Sequence, residues 1–153
     1  MKMTTLLMFV AALLALAAER PNLSGTWEMD LKQSNFGDIP APDSFKRTIV
    51  DNEPSLVMTD EQSSALGQEK AVRNYTTDGK EITYQWNGGE VKSAAHWEGD
   101  KLIVIGKVDA NGAEVTVTSS LTLASDGKTL TEDDKISMAG NDVAAFKLVL
   151  VKK

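Results

Sequence analysis

Glycine-bearing turn dipeptides recur through the chain at a spacing that suits a multistranded antiparallel sheet. Asp78-Gly79, Asn87-Gly88, Asn111-Gly112 and Asp126-Gly127 are four such reversals. Each pair accepts the positive φ that a tight hairpin requires. Between them run short segments rich in β-branched and aromatic residues: "EITYQW", "EVKSAAHWE", "LIVIGKVD", "AEVTVTSSLTLA" and "TLTEDDKISM". Adding "GTWEMDLK", "SFKRTIV", "SLVMTDE", "QEKAVRNYT" and "VAAFKLVLV" gives about ten strands, at the ~8–12 residue spacing of a barrel or sandwich. Sequential hairpins make a meander, and an open meander leaves two edges exposed to pairing with other chains. Closure removes them. The expected fold is all-β, an antiparallel up-and-down β-barrel with no substantial helix in its domain. "QSSALG" reads as a looser link. "QSNFGDIPAPDS" is the longest irregular connection, because Gly37, Pro40 and Pro42 forbid a regular helix or a central strand there.

The first residues belong to a different class. "MKMTTLLMFVAALLALA" has an early lysine, an apolar run from Leu6 to Ala17 and small residues at Ala15 and Ala17. This is the pattern of a secretory signal peptide over residues 1–17, cleaved after Ala17. Its apolar run is shorter than the ~20 residues a bilayer-spanning helix needs. The barrel domain is then 18–153, and the expected location is secreted or periplasmic, not membrane-embedded once the signal is cleaved. With no Cys, the fold rests on its own core, without disulfides. The formal net charge is −6, and loss of Lys2 with the signal takes it to about −7. An acidic domain repels phosphate backbones, so nucleic acid is not an expected partner.

Gly25-Thr26-Trp27 on the first strand has the G-x-W form that opens the lipocalin and fatty-acid-binding protein families. With the strand count and the run of DG and NG hairpins, the chain resembles the calycin superfamily over about residues 24–151. More closely, it looks like small exported lipocalin-like proteins of bacteria. The resemblance implies a barrel that holds a hydrophobic ligand. Two departures are visible. The helical lid of the fatty-acid-binding type is replaced here by "QSNFGDIPAPDS". The last strand, "VAAFKLVLV", carries neither the Arg-x-Tyr carboxylate pair of that type nor the arginine that lipocalins pack over the G-x-W tryptophan. Trp27 is expected to close one end of the barrel, and residues 36–42 to lie over its mouth.

Strand alternation sorts the candidate site residues by face. Arg73 and Tyr75 share a face with Ala71. Tyr84 and Trp86 share one with Ile82, and Trp97 shares one with Val91, Ser93 and Ala95. Arg47 lies with Phe45 and Ile49, and Leu56 lies with Met58. Mostly apolar faces with a few polar members suit a cavity wall. Small residues at Ser93, Ala94, Ala95, Gly106, Ser119 and Ser120 would leave room inside. The ligand-binding set is Arg73, Tyr75, Tyr84, Trp86, Trp97 and Arg47, with Arg73 and Tyr75 as the polar anchor for an anionic amphiphile. Each could equally be an ordinary core or surface position.

Other chemistry finds little support. His96, the only histidine, falls on the polar face with Lys92 and Glu98, without companions for zinc. Glu132, Asp133 and Asp134 read as an exposed strand face that does not converge on a metal. No Cys nucleophile, G-x-S-x-G motif or phosphate-binding loop is present, so neither an enzyme nor a cofactor or metal is expected. The function read is an exported binding protein for a small hydrophobic or amphipathic, lipid-like molecule. Two alternatives stand beside it: a filled barrel acting as a protein–protein interaction module, and a small hydrolase or isomerase acting on an amphiphile.

Overall fold

The computed structural model describes residues 20–153. The signal-peptide reading at 1–17 lies outside them. Ten strands follow in order: β1 (Gly25–Met29), β2 (Ser44–Asn52), β3 (Ser55–Ser64), β4 (Gly67–Thr76), β5 (Ile82–Trp86), β6 (Gly89–Glu98), β7 (Lys101–Ala110), β8 (Ala113–Leu123), β9 (Thr129–Met138) and β10 (Asn141–Lys152). All pairings are antiparallel, in the order β4-β3-β2-β1-β10-β9-β8-β7-β6-β5. The meander curls so that β1 pairs with β10, as at Trp27↔Lys152. This is a nearly closed ten-stranded barrel. Among the described residues no helix is long and apolar enough to cross a membrane.

Three local expectations are corrected. "QSSALG" is not a loose link: β3 and β4 pair through to Ser64↔Gly67, leaving only Ala65 and Leu66 at the turn. "TDGK" does not close a hairpin. No ladder joins β4 to β5. The Gly79 amide instead donates to the Ala95 carbonyl at 2.9 Å, and the Thr77 amide donates to the Pro54 carbonyl at 2.9 Å. Those bonds commit the connection to β6 and to the β2–β3 turn, which leaves a seam between β4 and β5. The first strand also stops at Met29, because the Asp30 carboxylate accepts from the Lys32 and Gln33 amides and folds the chain into a turn.

An up-and-down barrel places alternate connections at opposite ends. One end carries the lead-in and the β2–β3, β4–β5, β6–β7 and β8–β9 connections. It is filled by Leu23, Trp27, Ile49, Leu56, Met58, Leu102, Leu121, Leu130 and Leu150, none more than 2% exposed. The Trp27 indole N–H donates to the Leu23 carbonyl at 3.0 Å, and Asp51 accepts from the Leu23 amide at 2.9 Å. The lead-in is thereby strapped across the closed end. Lys152 sits over the Trp27 ring, 5.2 Å from its centroid. The last strand holds no arginine, but it does supply a cation to this tryptophan.

At the other end the inward residues are only half-buried: Tyr84, Trp86, Val91, Val108, Val115, Val117 and Ile136. The long β1–β2 connection lies here. It is tied to β10 by paired backbone bonds between Asn35 and Lys147, and Phe36 stacks on Phe146 with centroids 5.9 Å apart. On the outer surface, Glu61 bridges Lys46 at 2.5 Å and Lys70 at 3.0 Å, a solvated ladder across β2, β3 and β4.

Candidate ligand-binding site

The middle of the barrel is charged. Arg47 on β2 reaches Asp60 on β3 through two bonds, Nε to Oδ1 at 2.7 Å and Nη2 to Oδ2 at 2.9 Å. Its remaining amine donates to Glu132 on β9, across the barrel. Arg73 on β4 donates to the same Asp60 carboxylate. The result is an alternating chain Arg73, Asp60, Arg47, Glu132, every member less than a tenth exposed. Burial opposes each charge. The partners outweigh it: Arg47 and Arg73 are held more firmly protonated than usual, and Asp60 lies below the usual carboxylate range.

Asp134 completes the cluster. Its Oδ1 accepts from Ser119 on β8, while Oδ2 is buried with no partner among the described residues. Burial and the neighbouring Glu132 push its carboxyl up to about 8. Asp134 is therefore mostly neutral at pH 7, and this has a measurable consequence. The folded state binds a proton that the unfolded state, with a pKa near 3.9, has released. The contribution of Asp134 to stability falls as pH rises between about 4 and 8, by up to ~1.4 kcal/mol per unit, and is level above. Asp134→Asn removes that slope and gains stability at pH 7. Denaturant melts of both proteins across pH 4–9 check it; parallel curves would contradict it.

The structure separates the six residues read from the sequence. Arg73 and Tyr84 meet: the guanidinium lies 5.6 Å from the Tyr84 centroid and 5.9 Å from that of Tyr75. Arg73 Nε is buried without a partner among the described residues. Tyr75 is 2% exposed, and its hydroxyl bonds Ser93 Oγ at 2.9 Å, joining β4 to β6 beside the open seam. Trp86 stands at the open end. Trp97 is near the closed end, where its indole donates to Glu53 at 2.5 Å. Arg47 is inward, but its guanidinium is spent on Asp60 and Glu132. His96 is on the outer face, paired with Glu98 at 3.1 Å.

The reading of 132–134 as an exposed face is corrected. Only Asp133 is outward. Glu132 and Asp134 are 7% and 4% exposed and point inward. Alternation carried the signal, since both share parity with Leu130 and Ile136. Asp60 was missed likewise, though it shares parity with Leu56 and Met58. Of the small residues, Ser93, Ala95, Gly106 and Ser119 have the inward parity; Ala94 and Ser120 are on the outer side.

No family model matches the sequence, nor does any curated protein. Solved structures do match. A secretory abundant heat soluble protein of Ramazzottius varieornatus aligns with TM-score 0.66 and 16% identity, over 85% of this chain and 94% of that one. Zebrafish ileal bile acid-binding protein, complexed with cholic acid, aligns with TM-score 0.58 and 19% identity, over 85% and 98%. Fatty-acid-binding protein 1 of Echinococcus granulosus gives 0.57 and 13%, over 84% and 96%. The chain shares the antiparallel barrel fold of these structures. At these identities the likeness speaks to architecture alone.

Proposed function

We propose that this protein is an exported carrier that holds a small hydrophobic or amphipathic molecule in the open half of its barrel. One observation carries the reading: the inward wall is tightly filled at one end and left half-buried at the other. There Tyr84, Trp86, Val91, Val108 and Val117 present apolar surface above a polar cluster. Apolar surface over a few placed polar groups is the composition of a ligand site. Burying ligand surface would contribute about 25 cal/mol per Å², less the cost of immobilisation. The bile acid and fatty-acid proteins of the same fold lend it support. The leader at 1–17 would export the 18–153 domain to the periplasm or outside the cell. Phe36, stacked on Phe146, would lie over the mouth.

Tryptophan fluorescence during titration with retinol, cholate, oleate and oleyl alcohol tests it. At least one should give a saturable change that Trp86→Phe removes and Trp97→Phe keeps. No saturable response from any would contradict the carrier reading. It would favour the interaction module, which the dense packing of the closed half already suits.

A further inference from the structure

We infer that the interior selects an uncharged amphiphile, one whose head is a hydroxyl, carbonyl or amide, over a carboxylate of the same chain length. This deepens the carrier reading and rests on it. The charges on inward positions are already balanced or negative. Arg47 and Arg73 are the cations of the cluster, and Asp60 and Glu132 already neutralise both. Asp134 adds a third carboxyl beside Glu132. Glu69 on β4 shares parity with Ala71 and Arg73, so a further carboxylate lies toward the open end. Asp51, the remaining buried carboxylate, belongs to the closed end, where it accepts from the Leu23 amide. Of the strand lysines, only Lys152 has the inward parity, and it lies over Trp27 at the closed end.

Among the described residues, an incoming carboxylate would thus find no unspent positive charge on the inward strand positions of the open half. It would add an uncompensated anion to a region where charges interact more strongly than in water. A neutral head meets a different situation. Arg73 Nε is a buried donor without an acceptor, and leaving such a group unmade is costly. A hydroxyl or carbonyl oxygen that reached it would satisfy it without adding charge. Tyr84, packed against the same guanidinium, has its phenol pushed above its ordinary range by burial, so it remains an O–H donor.

The test compares oleyl alcohol and oleamide with oleate, all below their aggregation concentrations, at pH 7.5. Binding is read by tryptophan fluorescence and by competition. The expected result is binding of the neutral pair about tenfold or more tighter than oleate. Glu132→Gln releases one guanidinium charge and should shrink that gap to about threefold or less. Oleate binding as tightly as the neutral pair would overturn the inference while leaving the carrier reading intact. An unchanged gap in a folded Glu132→Gln protein would overturn it too, because the selectivity would then have another origin. No binding by any of the three, or by retinol, would remove the carrier reading beneath it. The ligand comparison needs only the unaltered protein, so it stands whether or not the variant folds.

Discussion

Asp60→Asn should destabilise the fold by about 3–5 kcal/mol, despite changing neither size nor shape. Asp60 is the shared anion of the interior: it takes two bonds from Arg47 and one from Arg73. An amide in its place turns N–H groups toward guanidinium N–H groups and strands buried positive charge. Breaking one partner of a buried ion cluster costs about this much, whereas the intact cluster contributes little net stability over an apolar core. Arg73 loses its one carboxylate partner among the described residues, so adding Arg73→Met to Asp60→Asn should recover part of the loss, about 1 kcal/mol or more. Urea melts of the two variants decide it. A cost below about 1 kcal/mol for Asp60→Asn would mean that the cluster is loosely held and wet.

Trp27→Ala is the second large effect, about 3–5 kcal/mol, by a different route. Trp27 has no exposed surface and forms the floor of the closed end. Its removal leaves a cavity among Leu23, Ile49 and Leu150, deprives the Leu23 carbonyl of its indole donor, and takes away the ring beneath Lys152. Trp27→Phe should cost less, since it keeps most of the apolar volume and loses the hydrogen bond, worth about 1 kcal/mol. Thermal and denaturant unfolding check both. Because the proposed site lies in the other half, the Phe variant should bind ligand as the parent does. Loss of binding in a stably folded Trp27→Phe protein would show that the two halves are not independent.

The barrel was legible because its signals are local. DG and NG pairs set the reversals, and alternation sets the faces: Arg73 with Tyr75, and Tyr84 with Trp86, share walls as the pattern required. The first tryptophan of the G-x-W form packs into one end, as expected. The charge network was not legible. It joins β2, β3, β4 and β9, and pairings across a barrel leave no mark in sequence spacing. "TEDDK" read as solvated because charged residues usually are. Its parity with Leu130 and Ile136 was the available warning, since a carboxylate on an apolar face implies a buried partner. The "TDGK" turn misled in the opposite direction. The dipeptide does reverse the chain, but tertiary bonds to Pro54 and Ala95 decide which strands then pair.

The central claim is that the open half of the barrel holds a small molecule. Native mass spectrometry of the protein, purified without denaturation and then exposed to the neutral and anionic amphiphiles above, tests it most directly. The account predicts one bound molecule per chain, released on unfolding, with the uncharged ligands retained at higher collision energy than oleate. A bare protein mass throughout, after every exposure, would contradict it and assign the barrel to a filled scaffold whose function lies on its outer surface.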